Sequence, residues 1–292
     1  MSLALEVSPA EQTASPARIQ QLLYSSRRVA TGLHWNDSSD WLRQDSAWTR
    51  SLWQDDRLVG LLACTPPHAG CTWLQVCALA DDVDAAHAFP DLWLGLRPVL
   101  QQRGVREVHL LGGGQDWLRA CLPASGFAIG EQVITLGRPL HTAPPCPSGP
   151  GDIRLATDDD LEPLLALDEA AFPPHWRMPA RDIRRALRRA ASFTVLELEG
   201  VVCACQITTR DQSEAHLSRL AVHPDHQGLG HGSRVLADVM GRSRRRGLTS
   251  LSVNTQKHNR RSLRLYRRFG FQHTGPDYKV WSQRLPEVVA VI

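Results

Sequence analysis

The run Leu220-Ala221-Val222-His223-Pro224-Asp225-His226-Gln227-Gly228-Leu229-Gly230-His231-Gly232-Ser233 carries an apolar strand pattern into a glycine-rich turn and then into a helix. Such a turn aims free backbone N–H groups and the positive end of a helix dipole at one point, which is the chemistry of holding a phosphate or pyrophosphate. Glycine lets the backbone approach the anion. The lysine followed by serine or threonine of a P-loop is missing, and so is a G-x-G-x-x-G dinucleotide pattern, so those two nucleotide-binding loops are set aside. His223, His226 and His231 share the turn, but its backbone is committed to phosphate and no carboxylate completes a ligand set; no metal is expected.

A second segment, Asn259-Arg260-Arg261-Ser262-Leu263-Arg264-Leu265-Tyr266-Arg267-Arg268-Phe269-Gly270-Phe271, follows the first. Together the two resemble the GNAT superfamily of N-acetyltransferases, whose pattern is Gln/Arg-x-x-Gly-x-Gly/Ala and then Asn-x-x-Ala/Ser-x-x-Leu-Tyr-x-x-x-Gly-Phe. Gln227, Gly230 and Gly232 match the first part; Asn259, Ser262, Leu265, Tyr266, Gly270 and Phe271 match the second. The resemblance covers residues 152–284. It implies that acetyl-CoA, the co-substrate, lies in a V-shaped opening of the sheet. Its pantetheine arm would pair with the strand Leu220-Ala221-Val222 through the backbone of Leu220 and Val222. Its pyrophosphate would sit on the N–H groups of Gly228, Leu229, Gly230, His231, Gly232 and Ser233, with Gln227 at the loop's start and Asn259 near the pantetheine. Tyr266 would lie by the thioester sulfur.

Acetyl transfer to an amine needs a base for the ammonium proton and an acid for the leaving thiolate. Tyr266 is the acid candidate. The strand Ala215 to His223 is similar to the corresponding strand of serotonin N-acetyltransferases, where a histidine at the position of His216 belongs to the proton path; a second histidine there is replaced here by Ser218. Strict alternation puts His216, Ser218, Leu220 and Val222 on one face, and histidine titrates near neutral pH. Glu214 is an alternative base. So is no base at all, with the free amine taken from solution.

These groups need elements to hold them. Residues 152–292 read as a strand, a helix opened by Thr157-Asp158-Asp159-Asp160, a helix starting at Pro179, three strands to Val222, a helix from His231 to Arg246, the strand Ser250 to Asn254, a helix from Asn259 to Arg268 and two closing strands. The N-terminal half repeats the plan. Leu58-Val59-Gly60-Leu61-Leu62 aligns with Val201-Val202-Cys203-Ala204-Cys205, Trp73 to Leu79 with His216 to Val222, and Arg103-Gly104 with Arg246-Gly247, at one constant spacing. After a slip of one residue, Gly126-Phe127 aligns with Gly270-Phe271. The same register sets Asp84, His87 and Phe89 against Gln227, Gly230 and Gly232, and Leu122 against Tyr266, so this copy should not bind acetyl-CoA in the same way.

The expected fold class is therefore mixed α/β, in two tandem GNAT-like domains, each a splayed, mostly antiparallel sheet flanked by helices. Residues 1–138 form the degenerate copy, 139–151 a Pro/Gly-rich linker and 152–292 the catalytic domain. The chain has 292 residues, 42% apolar and 22% charged, which suits two folded domains and excludes disorder. Seven scattered cysteines fit reduced thiols. No basic leader opens the sequence and no apolar run approaches the roughly 18 residues of a membrane span, so a cytoplasmic protein without a membrane partner is expected.

Net charge is only +3, with Lys257 and Lys279 the sole lysines, which reads as an arginine-rich composition rather than a nucleic-acid surface. The run Arg242 to Arg246 caps a helix end. Arg181, Arg184, Arg185, Arg188 and Arg189 recur at helical spacing and are either a plain charged face or a means of recognising an acidic acceptor. The functional expectation is transfer of an acetyl group to a primary amine of a small molecule or a peptide N-terminus. The alternative is a non-catalytic acyl-CoA sensor or protein-interaction module.

Overall fold

A computed structural model describes residues 5–7, 14–32, 48–112, 115–142 and 144–286; of the opening segment read as carrying no basic leader, the first four residues lie outside the described residues. The chain divides into two compact units, one of Met1–Glu131 with Tyr278–Ile292 and one of Gln132–Asp277. Among the described residues no helix is long and apolar enough to cross a membrane.

In the first unit the order is β1 (Leu5–Val7), α1 (Pro16–Ser25), β2 (Arg28–Thr31), β3 (Thr49–Gln54), β4 (Arg57–Cys64), β5 (Cys71–Leu79), α2 (Ala85–Gln102), β6 (Glu107–Gly112) and α3 (Asp116–Ala124). The second unit holds most of β7 (Ala128–Pro139), then β8 (Asp152–Leu155), α4 (Leu161–Ala171), α5 (Ala180–Arg189), β9 (Ser192–Leu198), β10 (Val201–Asp211), β11 (Glu214–Val222), α6 (His231–Arg245), β12 (Ser250–Gln256), α7 (Arg260–Arg268) and β13 (Gln272–His273). The last strand, β14 (Tyr278–Arg284), returns to the first unit.

Each unit is a mixed α/β sheet of mostly antiparallel strands, in the order β1-β3-β4-β5-β6-β14 for the first and β7-β12-β11-β10-β9-β8 for the second. One pair in each is parallel, β5 with β6 and β11 with β12. These are the pairs joined through α2 and α6, since a parallel connection needs a crossover helix. The repeat seen in the sequence is a repeat of elements. Cys71–Leu79 corresponds to Glu214–Val222, and Gly104 and Gly247 both end a helix with a φ of 76°, the left-handed conformation that glycine adopts without penalty.

The linear division at residues 138 and 152 differs from the division by compactness. Val133–Pro139 of β7 pairs with β12, and Ile134 and Leu136 join the core of the second unit. In exchange, β14 pairs with β6, setting Trp281 opposite Leu110 and burying it in the core of the first unit. A strand belongs to the sheet edge it fills, whatever its place in the chain.

The second unit has two apolar layers. On one face of its sheet, α4 and α5 bring Leu164, Leu167 and Ile183 against Phe193, Val195 and Ile207. On the other, α6 and α7 bring Leu236, Val239, Met240, Leu263 and Tyr266 against Ala215, Leu217, Leu251 and Val253. The α4 layer opens on a reciprocal capping box between Thr157 and Asp160, as the acidic run after Thr157 leads one to expect.

Because Trp281 packs into the first unit, Trp281→Ala should cost about 3–5 kcal/mol of stability, read by urea unfolding. Amide exchange should accelerate in β6 and be unchanged in β9 to β11. Acceleration confined to the second unit would contradict the exchange of closing strands.

Candidate active site

The parallel pairing of β11 with β12 lasts four residues, Glu214 to Leu217 against Ser250 to Val253, and then stops. β12 continues alongside β7 to Gln256, whereas β11 runs on to Val222 beside β10 alone. The two strands part, leaving one edge of Ser218 to Val222 without a strand partner among the described residues. His223 donates its N–H to Cys203 O at 2.9 Å, and antiparallel alternation from that bond turns Arg219 and Ala221 toward β10 and the backbone groups of Leu220 and Val222 toward the opening. Ala221, one of the strand residues expected at the cofactor, therefore has its backbone engaged with Cys205 and its side chain buried in the α4 layer.

Strict alternation along β11 does not hold. Ile207 pairs with Arg219 and Thr208 with Leu217, so Ser218 is a bulge, and a bulge shifts which side chains share a face. Ala215, Leu217, Leu220 and Val222 pack toward α6, while His216, Arg219 and Ala221 face the α4 side. The expected single face of His216, Ser218, Leu220 and Val222 is thus corrected: His216 and Ser218 lie opposite Leu220 and Val222.

His216 Nδ1 lies 2.9 Å from Ser252 Oγ, and that hydroxyl donates to Ala215 O at 3.3 Å. In the tautomer with its proton on Nδ1, His216 donates to this hydroxyl, and Nε2 keeps a lone pair free to take a proton. Burial lowers the His216 pKa, favouring this neutral form. Glu214 stands exposed beside the tight turn that joins β10 to β11.

Beyond Val222 the chain makes a short 3₁₀ turn, Pro224–His226, and reaches Gly228 and Gly230 at φ values of 85° and 87° before α6 begins. A side chain at either would meet open space, so the backbone conformation is what requires glycine. At Gly232, inside the first turn of α6, an added Cβ would make ordinary contacts of 3.4 Å with Leu265 and 3.7 Å with Val222, so neither backbone conformation nor space demands glycine there. Ser233 N–H is already given to Gly230 O at 3.0 Å, so the donors with no backbone acceptor among the described residues run from Gly228 to Gly232, one residue fewer than expected. Leu229 stands exposed.

Gln227 braces the loop, donating to Val222 O at 3.1 Å and accepting from Arg261 of α7. Asn259 caps α7 by accepting from Ser262 N–H at 3.1 Å, leaving its amide N–H₂ to donate elsewhere. Tyr266 is buried among the residues of α6 and β12, with its ring 5.6 Å from that of Phe271. Burial pushes its phenol pKa up, so the group stays protonated and able to give a proton.

The protein-family comparison agrees with this geometry. Residues 161–271 match the acetyltransferase (GNAT) family model. The chain contains a GNAT acetyltransferase domain. Among curated proteins, it is similar to an amino-acid acetyltransferase of Ralstonia nicotianae, 34% identical over 134 residues that make up 43% of this chain and 27% of the relative. It is also similar to a mycothiol acetyltransferase of Brachybacterium faecium, 27% identical over 205 residues, 63% of this chain and 61% of the relative. The chain thus spans from about a quarter to about three fifths of the length of these two relatives.

In fold, it matches a GCN5-related N-acetyltransferase from Sphaerobacter thermophilus at a TM-score of 0.65, 14% identity and 97% coverage of both chains. A tandem GNAT protein from the clavulanic acid biosynthesis pathway matches at a TM-score of 0.64 and 15% identity, covering 98% of this chain and 100% of that one.

Within the GNAT domain, one positioning pair escaped the sequence reading. Arg219, next to the bulge, donates from Nε to Asp168 Oδ1 of α4 at 2.8 Å; Asp168 Oδ2 accepts from Met178 N–H at 2.8 Å, and the guanidinium lies 3.5 Å over the Phe172 ring. Both partners are more than nine-tenths buried. The pair ties the parting strand to α4 and to the segment leading into α5, and no local pattern announces it because its members are 51 residues apart. Of the α5 arginines, Arg181, Arg184, Arg188 and Arg189 stand exposed.

The first unit treats the same places differently. Its parallel pair also stops early, at Trp73 with His109, but β2 fills the edge that follows, with Arg28 to Thr31 pairing against Leu79 to Val76. At the start of α2 the Asp84 carboxylate accepts from Ala86 N–H at 3.0 Å and lies 2.6 Å from His87 Nδ1. Leu122 is fully buried where the GNAT domain has Tyr266.

Asp168→Asn keeps the shape of the buried pair and removes its negative charge, leaving Arg219 unpaired. The expected cost is about 3–5 kcal/mol in chemical denaturation, with the double variant Asp168→Leu/Arg219→Met recovering most of it. A single variant as stable as the parent would show that the pair does not hold β11 to α4.

Proposed function

We propose that the chain is an acetyl-CoA-dependent N-acetyltransferase whose active site is the opening between β11 and β12, acting on a primary amine of a small molecule or a peptide N-terminus. The observation that carries this reading is the unpaired edge of β11, which offers the backbone groups of Leu220 and Val222 to an extended ligand and leads directly to the glycine-bearing start of α6. An extended amide-bearing arm satisfies such an edge as an added strand. Its pyrophosphate end then meets the N–H groups of Gly228 to Gly232 and the helix dipole. The carbonyl of Val222 is shared with Gln227, so pairing at that residue runs through its N–H.

In this reading the thioester lies where β11 leaves β12. The amine nitrogen attacks the acetyl carbon, the carbon–sulfur bond breaks, and the thiolate takes a proton from Tyr266 on the α6 side. His216, on the α4 side, accepts the ammonium proton at Nε2, directly or through a water molecule.

The first unit serves as a non-binding copy. β2 occupies the edge that pantetheine would use, and Asp84 places negative charge on the helix start that pyrophosphate would need. Both features favour one acetyl-CoA per chain.

Calorimetry should give one site, abolished by Gly230→Asp, which sets a side chain and a negative charge at a left-handed position beside the anion. Two equivalent sites would overturn the assignment of the first unit. Tyr266→Phe should lower kcat about tenfold or more with acetyl-CoA affinity little changed, because acid or base help is worth about 10²–10⁴-fold. Wild-type turnover in that variant, with chemistry rate-limiting, would remove Tyr266 as the acid.

Burial favours neutral His216, so the acidic limb of kcat/KM should fall below about 6.5, the ordinary imidazole value. His216→Ala should move that limb toward the pKa of the amine itself. An unmoved limb would return the role to Glu214 or to the free amine. A chain that binds acetyl-CoA but acetylates none of a panel of amino acids, aminoglycosides and peptides would favour a sensor.

A further inference from the structure

We propose that Cys203, His226 and His231 form a binding site for a zinc-class transition-metal ion beneath the glycine loop, a site separate from the acetyl-transfer groups. Sulfur and ring nitrogen atoms of these three residues lie within 4.8 Å of one another. They converge from three elements: Cys203 from β10, His226 from the 3₁₀ turn and His231 from the first residue of α6.

Two features show that the convergence is built. The first is His231. Its side chain is 2% exposed, and neither ring nitrogen has a hydrogen-bond partner. Buried imidazole nitrogens are normally satisfied; a metal ion that accepts the lone pair of one His231 nitrogen would satisfy that nitrogen. The second is the aim of Cys203. Between β9 and β10, Val202 pairs with Glu197 and Ala204 with Leu196, which makes Cys203 a bulge residue. Alternation would point it away from Ala204, yet both pack in one cluster with Val235 of α6. The bulge brings the thiol to the α6 side, where His231 lies.

One thiolate and two imidazoles suit zinc, and three protein ligands leave the fourth tetrahedral position to water. Zinc bonds of about 2.0–2.3 Å place ligand atoms about 3.5 Å apart, so the set closes by an inward turn of the half-exposed His226 ring. Cys203 is a thiol donating to Leu196 O at 3.3 Å. On binding, its sulfur–hydrogen bond breaks, the electron pair forms the metal–sulfur bond, and the proton leaves to solvent. The Arg234 guanidinium lies close enough to act on both Cys203 and His231 and opposes a cation there, although its Nη2 donates to Gly151 O at 2.7 Å and its Nη1 to Pro150 O; deprotonation of Cys203 offsets one positive charge. Because His226 and His231 flank Gln227 to Gly230, the ion would fasten both ends of that loop to β10.

The test uses tag-free full-length protein, stripped with chelator and titrated with Co²⁺. One equivalent per chain should give thiolate-to-cobalt charge-transfer absorption and the visible bands of tetrahedral cobalt, both erased by Zn²⁺, and Zn²⁺ should raise the Tm. His226→Gln, at a half-exposed position that leaves the core intact, should weaken binding more than about 100-fold. Cys203→Ser should remove the charge-transfer band, and His223→Gln should keep it. Absence of that band in the wild-type chain, or equal cobalt binding by wild type and His226→Gln, would overturn the proposal.

Discussion

A strand that loses its neighbour inside a sheet leaves backbone groups that something must satisfy, and the second unit is organised around one such place. β11 holds β12 for four residues and then leaves it. The bulge at Ser218 makes the departure, turning Leu220 and Val222 toward α6 and leaving His216 and Arg219 toward α4. The pair Arg219–Asp168 then anchors the departing strand to α4, while Gln227 ties its far end to α7 through Arg261. Without these two tethers, the opening would have rims but no fixed width.

The first unit answers the same constraint from within its own chain. There β2 lies along β5 where β11 is open, and the side chain of Gln115 reaches the Val29 carbonyl to hold it. An edge filled by covalently attached chain is satisfied at all times, so a diffusing ligand has nothing to gain by displacing it. Asp84 completes the closure by capping its own helix start with a carboxylate. One plan thus yields an open slot in one unit and a self-filled slot in the other, and the difference lies in a four-residue strand and one side chain rather than in the framework.

Bulges serve two purposes in the second unit. At Ser218 the extra residue puts Leu220 and Val222 on the face opposite His216, and at Cys203 it carries a thiol across the sheet to a histidine buried under the glycine loop. Each moves a side chain to the face opposite the one that alternation assigns, at the cost of local pairing. Gly228 and Gly230 lie between His226 and His231, the two histidines that approach Cys203.

Much was legible in the sequence because it is local. The glycines at 228 and 230, the cap at Asn259, the acidic start of α4 and the apolar runs of the strands declare themselves through backbone preference and periodicity, which depend on near neighbours. The repeat was legible for the same reason, since equal elements at equal spacing need no contacts to be seen. Tertiary structure alone decided the rest. Bulges depend on the register of two strands, so the faces of β11 and the aim of Cys203 could not be read from alternation. The Arg219–Asp168 pair, the strand that fills the first unit's slot, and the exchange of β7 and β14 all join residues distant in sequence. Which edge a strand fills is settled by the apolar surface it buries there, as Ile134, Leu136 and Trp281 do, and that surface exists only once the sheets have formed.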